Sequence, residues 1–219
     1  MHKTVQNLIN IENKIKSNLD HLNKRNLPNI IAVSKTFKID KILPLIKHGH
    51  LNFGENKVQE AVEKWTTIKE NQPNIQLHMI GKLQTNKVKF AVKLFDFIHS
   101  VDSEKLAKKI SEEQSKIKRK IKIFIQVNIG NENQKSGINK DEIKKLILYG
   151  KELNLNIVGL MCIPPMNIDP RDFFHEMNVI SKSFNLTELS MGMSSDYIDA
   201  VKNNSTYLRI GSSIFGPRS

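Results

Sequence analysis

Cysteine occurs once in the chain, at Cys162, so no internal disulfide can form. A lone thiol suits a reducing compartment, and a cytoplasmic location is expected. Long apolar runs are missing as well. No stretch of about 18 apolar residues exists, so no membrane-spanning helix is expected. The first 25 residues lack a continuous apolar segment, which excludes a secretory signal. No G-x-G-x-x-G turn follows the first apolar run at Ile30–Ser34, which argues against an open, doubly wound dinucleotide sheet. His48, His50, His99 and His175 have no ligand spacing with cysteine or carboxylates, so no zinc site is expected. Linkers, low-complexity tracts and internal repeats beyond the strand–helix alternation are absent. Residues 1–219 therefore read as one domain.

Basic residues are present in excess. Lys and Arg number 34 against 22 Asp and Glu, a net charge of +12. Such a balance suits a nucleic-acid partner only when the charge clusters around a recognition motif. Here the lysines are spread along the chain. The densest run, Lys105 to Lys122, is interrupted by Glu112 and Glu113 and reads as a solvated helix face. No nucleic-acid or membrane partner is expected.

Short apolar runs alternate with helical patterns. The expected strands are Ile30–Ser34, Leu51–Phe53, Gln76–Ile80, Phe97–Ser100, Ile121–Asn128, Ile157–Met161, Glu188–Met191 and Thr206–Ile210. The expected helices are Ile39–Lys47, Lys57–Glu70, Lys87–Leu94, Glu104–Lys116, Lys140–Leu148, Pro170–Lys182 and Asp196–Lys202. Asn139 and Glu142 have the spacing of a capping box, and Gly150 stands where a C-terminal cap is expected. Val5, Leu8, Ile9, Ile15, Leu19 and Leu22 mark an amphipathic helix within residues 1–25, packed on the body. About eight strand–helix units close a (β/α)₈ barrel.

Barrel chemistry gathers at the C-terminal ends of the strands. The first strand ends Ala32-Val33-Ser34-Lys35-Thr36, and alternation puts Ile31, Val33 and Lys35 on one face. If that face looks inward, Lys35 caps the core at the catalytic end. Desolvation there disfavours its ammonium form, and a neutral amine can attack an aldehyde to form a Schiff base. The seventh strand is followed by Ser190-Met191-Gly192-Met193-Ser194-Ser195, and the eighth runs into Arg209-Ile210-Gly211-Ser212-Ser213-Ile214-Phe215-Gly216. Barrels commonly hold phosphate in these two loops, where small residues admit backbone N–H groups and serines add donors. Closure brings the eighth strand beside the first, so Arg209 can face the same pocket as Lys35. A lysine, a phosphate cup and a polar group for a ring nitrogen together describe a site for pyridoxal 5′-phosphate (PLP).

An ordered set of motifs resembles the pyridoxal phosphate homeostasis proteins, PLP binders of the alanine racemase-like barrel. It comprises Ala32-Val33-Ser34-Lys35-Thr36, Asn52-Phe53-Gly54-Glu55-Asn56 with Gln59-Glu60, and His78-Met79-Ile80-Gly81-Lys82-Leu83-Gln84-Thr85-Asn86-Lys87. Gln126-Val127-Asn128-Ile129, Lys135-Ser136-Gly137-Ile138 and Gly159-Leu160-Met161 follow, and the two Gly/Ser loops complete it. The resemblance runs from Ile30 to Arg218. It implies that Lys35 forms the Schiff base, that Ser194, Gly211 and Ser212 hold phosphate, and that Arg209 faces the pyridine nitrogen. It places Asn56 and His78 on the pocket lining, although a strand histidine read alone is a satisfied core or rim residue. The family often carries a second lysine and a proline after Ser-Lys-Thr. Phe37 and Lys38 stand there instead, which puts in doubt any cofactor-transfer role of that lysine.

The implied function is intracellular vitamin B6 homeostasis: binding PLP with little or no catalysis, as a monomer, and serving PLP-accepting apoenzymes or amino acids. The alternative is a PLP-dependent amino-acid racemase using Lys35 and a second residue such as His78; a further one is a barrel for another phosphorylated metabolite. A racemase needs an acid–base group on each face of the cofactor. Barrel racemases of this fold take the second from an additional domain, which is not expected in the short stretch after the eighth strand. Asp102 or Ser103 is expected to cap the next helix. Met161, Met166, Met191 and Met193 are expected to pack adaptably around the barrel mouth. Lys135 is expected near the site or in a solvated loop.

Overall fold

The computed structural model describes residues 1–22, 27–132 and 134–217; positions 23–25 of the expected N-terminal helix lie outside them. Eight strands follow one another: β1 (Asn29–Val33), β2 (Asn52–Glu55), β3 (Gln76–Met79), β4 (Phe97–Val101), β5 (Lys122–Val127), β6 (Asn156–Cys162), β7 (Glu188–Ser190) and β8 (Tyr207–Ile210). Helix α1 (Lys3–His21) precedes β1. Helices α2 (Ile39–Lys47), α3 (Val58–Asn71), α4 (Val88–Leu94), α5 (Glu104–Lys116), α6 (Ile143–Glu152), α7 (Arg171–Ser183) and α8 (Tyr197–Lys202) follow the first seven strands in turn. A short α9 (Ser212–Phe215) follows β8. All pairings are parallel, and β1 pairs with β8 to close the barrel. Among the described residues no helix is long and apolar enough to cross a membrane.

The apolar residues divide into two cores because a barrel strand buries both faces. Ile31, Phe97, Phe124, Met161 and Tyr207 fill the interior. Outside it, Ile30, Ala32, Phe53, Leu77, Ile98 and Leu160 meet the inner faces of the helices, including Ile42, Trp65, Ile110 and Phe174. Full burial of one such side chain contributes about 1.5–3 kcal/mol. Ile31 lies on the inner face, as the alternation from Ile31 to Lys35 requires.

Helix α1 buries Val5, Leu8, Ile11, Ile15 and Leu19 and packs on α2, α8 and α9. Asn7 Nδ2 donates to Ile214 O at 2.9 Å, tying it to the end of the barrel chain. Leu22, expected on the buried stripe, is exposed.

The capping box forms: Asn139 N donates to Glu142 Oε2 at 3.0 Å and opens a 3₁₀ turn, Lys140–Glu142, ahead of α6. Gly150, however, is not the cap. It lies inside α6, where a Cβ would stand 2.3 Å from Ile157 Cδ1, so the missing side chain serves close packing on β6. The left-handed residue after this helix is Asn154, with φ 53°.

Candidate active site

At the C-terminal ends of the strands lies a cavity of about 360 Å³. Lys35, Asn56, Ser194, Arg209, Gly211 and Ser212 all line it, with Val33, Phe37, Ile80 and Ile163 supplying apolar walls. Sequence positions 35 and 209 meet here because β1 and β8 are neighbours, with Ile31 paired to Arg209. Two larger hollows, about 490 and 550 Å³, lie around Pro28 and Asn29 at the opposite end of β1, away from the strand ends where barrel chemistry gathers.

Lys35 is half-buried in the turn after β1. Its neighbour Thr36 has φ 69°, a left-handed conformation that costs a β-branched residue about 1–3 kcal/mol. The turn is held from behind. Thr36 N donates to Glu60 Oε1 at 2.6 Å, and Lys64 Nζ donates to Ser34 O at 3.0 Å. Lys64 also pairs with Glu55 and Glu60, each at 2.9 Å. Glu55 is fully buried; its Oε1 further accepts from Ser34 Oγ at 2.8 Å and Trp65 Nε1 at 2.9 Å. Burial works against ionisation of Glu60, but Lys64 and the Thr36 N–H hold its carboxyl below the usual range. This bracket of Glu55, Glu60, Lys64 and Trp65 was not assigned a role from sequence. The signals were the i,i+4 spacing of Glu60 and Lys64 and an acid ending the strand Asn52–Glu55.

The loops after β7 and β8 are tied together. Ser194 Oγ accepts from Gly211 N and Ser213 N, both at 3.3 Å, and Ser213 Oγ donates to Ser194 O at 3.4 Å. Gly192 sits in this crossing with φ 91°, a region that favours glycine. Arg209 is nearly buried, at 5% exposure. Nη1 donates to Ser190 O at 2.6 Å and Oγ at 2.7 Å, and Nη2 donates to Cys162 O at 2.8 Å. Three uncharged oxygens thus hold a buried cation, and burial pushes its pKa down. The Cys162 thiol is itself pushed up to about 12 by burial and is inert as a nucleophile at neutral pH.

His78 departs from the expectation. It is fully buried in the barrel interior and stacked on Phe97, with ring centroids 4.3 Å apart, beneath the cavity rather than on its lining. Burial and nearby positive charges push its pKa well down. The unadorned reading of a strand histidine, a satisfied core residue, describes it. Phe37 packs in the wall and stacks on Phe215 at 4.9 Å. Lys38 is exposed at the start of α2 and does not line the cavity. Ser103, not Asp102, caps α5, with its side chain accepting from Leu106 N. Lys135 bonds Pro164 O at 3.0 Å, pairs with Glu132, and lines an adjoining cavity of about 320 Å³ that shares Asn56 and Ile80 with the first. Of the methionines, Met193 is at the mouth, Met161 and Met191 are buried, and Met166 is exposed.

Residues 10–219 match the family model of the alanine racemase N-terminal domain. The pyridoxal phosphate homeostasis protein of Haemophilus influenzae is 35% identical over 225 residues, covering 97% of this chain and 95% of the relative. PipY of Synechococcus elongatus, solved with PLP bound, superposes with a TM-score of 0.81 at 33% identity, covering 92% of this chain and 100% of PipY. The alanine racemase of Clostridium difficile shares the fold alone: TM-score 0.75 at 14% identity, with 98% of this chain and 56% of that one covered. Barrel, motif order and whole-length similarity agree, and the chain belongs to the pyridoxal phosphate homeostasis proteins of the alanine racemase N-terminal domain family.

Proposed function

We propose that this protein binds PLP covalently through Lys35 and acts as a carrier or regulator of the cofactor with little or no catalysis. The observation that carries this reading is convergence: Lys35, Arg209 and the Gly/Ser loops open onto one cavity. The relatives' shared name and the PLP-bound PipY support the choice of cofactor.

The residues present fit the group. The cavity suits a small ligand in volume. Its buried guanidinium is hydrogen-bonded by uncharged oxygens, with Asp196 as a carboxylate in electrostatic range. Bound PLP supplies an aldehyde and an electron-accepting ring. Lys35 would supply the amine for that aldehyde. Ser194, Gly211 and Ser212 would hold the phosphate; the Gly211 and Ser213 N–H groups that now reach Ser194 Oγ are donors of the required kind. Arg209 would serve the ring nitrogen, and Asn56 would shape the wall.

Weak catalysis follows from the same lining. Among the described residues Lys35 and Arg209 are the ionisable groups on this cavity, and Arg209 keeps its proton. A racemase needs a second acid–base group, and His78 is sealed in the core. We further assign the protein to the cytoplasm, as a monomer that serves apoenzymes or amino acids. The absorbance spectrum of the purified protein tests the reading. A near-visible band should appear with PLP and vanish on borohydride treatment, and mass spectrometry should then find the pyridoxyl group on Lys35. Labelling confined to another lysine overturns the assignment.

A further inference from the structure

The barrel interior carries a polar seam among its aromatic rings. Asn52 Oδ1, at the start of β2, lies 3.0 Å from His78 Nε2. His78 Nδ1 lies 3.0 Å from His99 Nε2, and His99 Nδ1 lies 2.8 Å from Ser190 Oγ. Ser190 Oγ accepts from Arg209 Nη1 at 2.7 Å. Five side chains from β2, β3, β4, β7 and β8 therefore form one unbroken chain, from the N-terminal end of the barrel to the cavity at the other. His78, His99 and Ser190 are all at 0% exposure. Phe97 stacks on His78 and Phe124 on His99, each with centroids 4.3 Å apart and rings within 16° of parallel.

The direction of this chain follows from donors and acceptors alone. A guanidinium only donates, so Ser190 Oγ accepts from Arg209. The serine's own proton then needs an acceptor, because a buried hydroxyl left without one is costly. His99 Nδ1 is that acceptor. The His99 proton is therefore on Nε2 and is donated to His78 Nδ1. The His78 proton is on Nε2 in turn and ends on Asn52 Oδ1. The reverse direction would leave the serine proton without an acceptor. Both histidines are neutral in this scheme, in keeping with the burial that pushes their pKa values well down.

We infer that Ser190, His99, His78 and Asn52 are positioning residues: a one-way hydrogen-bonded relay that holds the Arg209 guanidinium at the mouth of the cavity. The relay fixes the serine lone pair that receives Nη1. With Ser190 O and Cys162 O it engages the Arg209 guanidinium at three hydrogen bonds, while Arg209 also lines the cavity. The link to ligand binding rests on the placement of Arg209 beside the cofactor ring; the direction of the relay does not.

Two measurements test it. Two-bond ¹⁵N–¹H correlation spectra of histidine-labelled, cofactor-free protein at pH 7 should show His78 and His99 neutral, each with its proton on Nε2. A Nδ1 proton or a charged ring at either position overturns the relay. Ser190→Ala should release the His99 tautomer and raise the Kd for PLP roughly fivefold to tenfold, the worth of about one ordinary hydrogen bond. Ser190→Thr keeps the hydroxyl and should preserve both the tautomers and the affinity. An alanine variant with unchanged tautomers and affinity overturns the positioning role. Should the wild type bind no PLP, the proposed function falls while the tautomer spectra still decide the relay; should Ser190→Ala not fold, the wild-type spectra and the threonine variant decide it.

Discussion

On the proposed reading, Arg209 would set the chemistry open to the cofactor. A carboxylate at a pyridine nitrogen favours the protonated ring and strengthens it as an electron sink, whereas a guanidinium with a pKa above about 12 donates a hydrogen bond and keeps its proton. Arg209→Glu should therefore speed α-proton exchange of bound amino acids in deuterated water, compared at equal PLP occupancy, and weaken PLP binding. Rapid exchange in the wild type would instead make the protein an enzyme. At the other end of the cavity, Gly211→Glu should be tolerated by the fold, since a Cβ there meets Val33 Cβ at 3.4 Å. Its carboxylate stands against the phosphate. Affinity for PLP should fall much more than affinity for pyridoxal, and an equal loss for both would remove the phosphate role from this loop.

At the scale of elements, the turn after β1 depends on the helix behind it. Lys64 reaches from α3 to Ser34 O, Glu55 and Glu60, and it neutralises a carboxylate with no access to solvent. Lys64→Met leaves Glu55 buried without its cation, though still bonded by Ser34 and Trp65, at a cost of up to about 3–5 kcal/mol. Urea denaturation should show that loss, and the bracketed Lys35 turn should take up less PLP at a fixed concentration. Full stability in the variant would mean that Glu55 finds another partner. None of this bracket was legible as a unit, because its parts come from a strand end, a turn and a helix that only closure brings together. The strands themselves were legible, since alternation and apolar runs follow from local geometry, and their ends fall within about two residues of expectation. Alternation put Ile31 and Lys35 on one face, and closure turns that face inward. It says which face a side chain takes but not how far down the barrel it sits; the pocket-lining place of His78 came from the motif resemblance, and the residue is buried instead. Gly150 misled for a related reason: glycine marks a cap or a close approach alike, and only Ile157 across the interface tells them apart.

For the molecule as a whole, the two interior histidines tie folding to pH. Burial holds His78 and His99 uncharged, with pKa values well below normal, while in the unfolded chain they titrate near 6.5. Above about pH 7 both states carry them neutral and no penalty arises. As pH falls below about 6.5 the unfolded chain takes up protons at His78 and His99 that the barrel refuses, and at His50, whose pKa burial lowers to about 4, so stability falls. The loss should reach about 4 kcal/mol by pH 5.5, mostly ahead of carboxylate titration. Urea midpoints at pH 7.5 and 5.5 measure it, and His99→Phe should remove about a third of the difference. An unchanged midpoint would mean that the folded barrel accepts those protons.

The pairing of β1 with β8 also has a meaning in time. During synthesis Lys35 is made well before Arg209 and Gly211, and the cavity joins them. A growing chain therefore has no such cavity until its eighth strand has emerged and docked. On the proposed reading the pocket is in effect a seal on the closed ring, and occupancy can stabilise only closed barrels. A chain stopped before Glu188 should leave PLP free in solution, however much of the barrel it has already built.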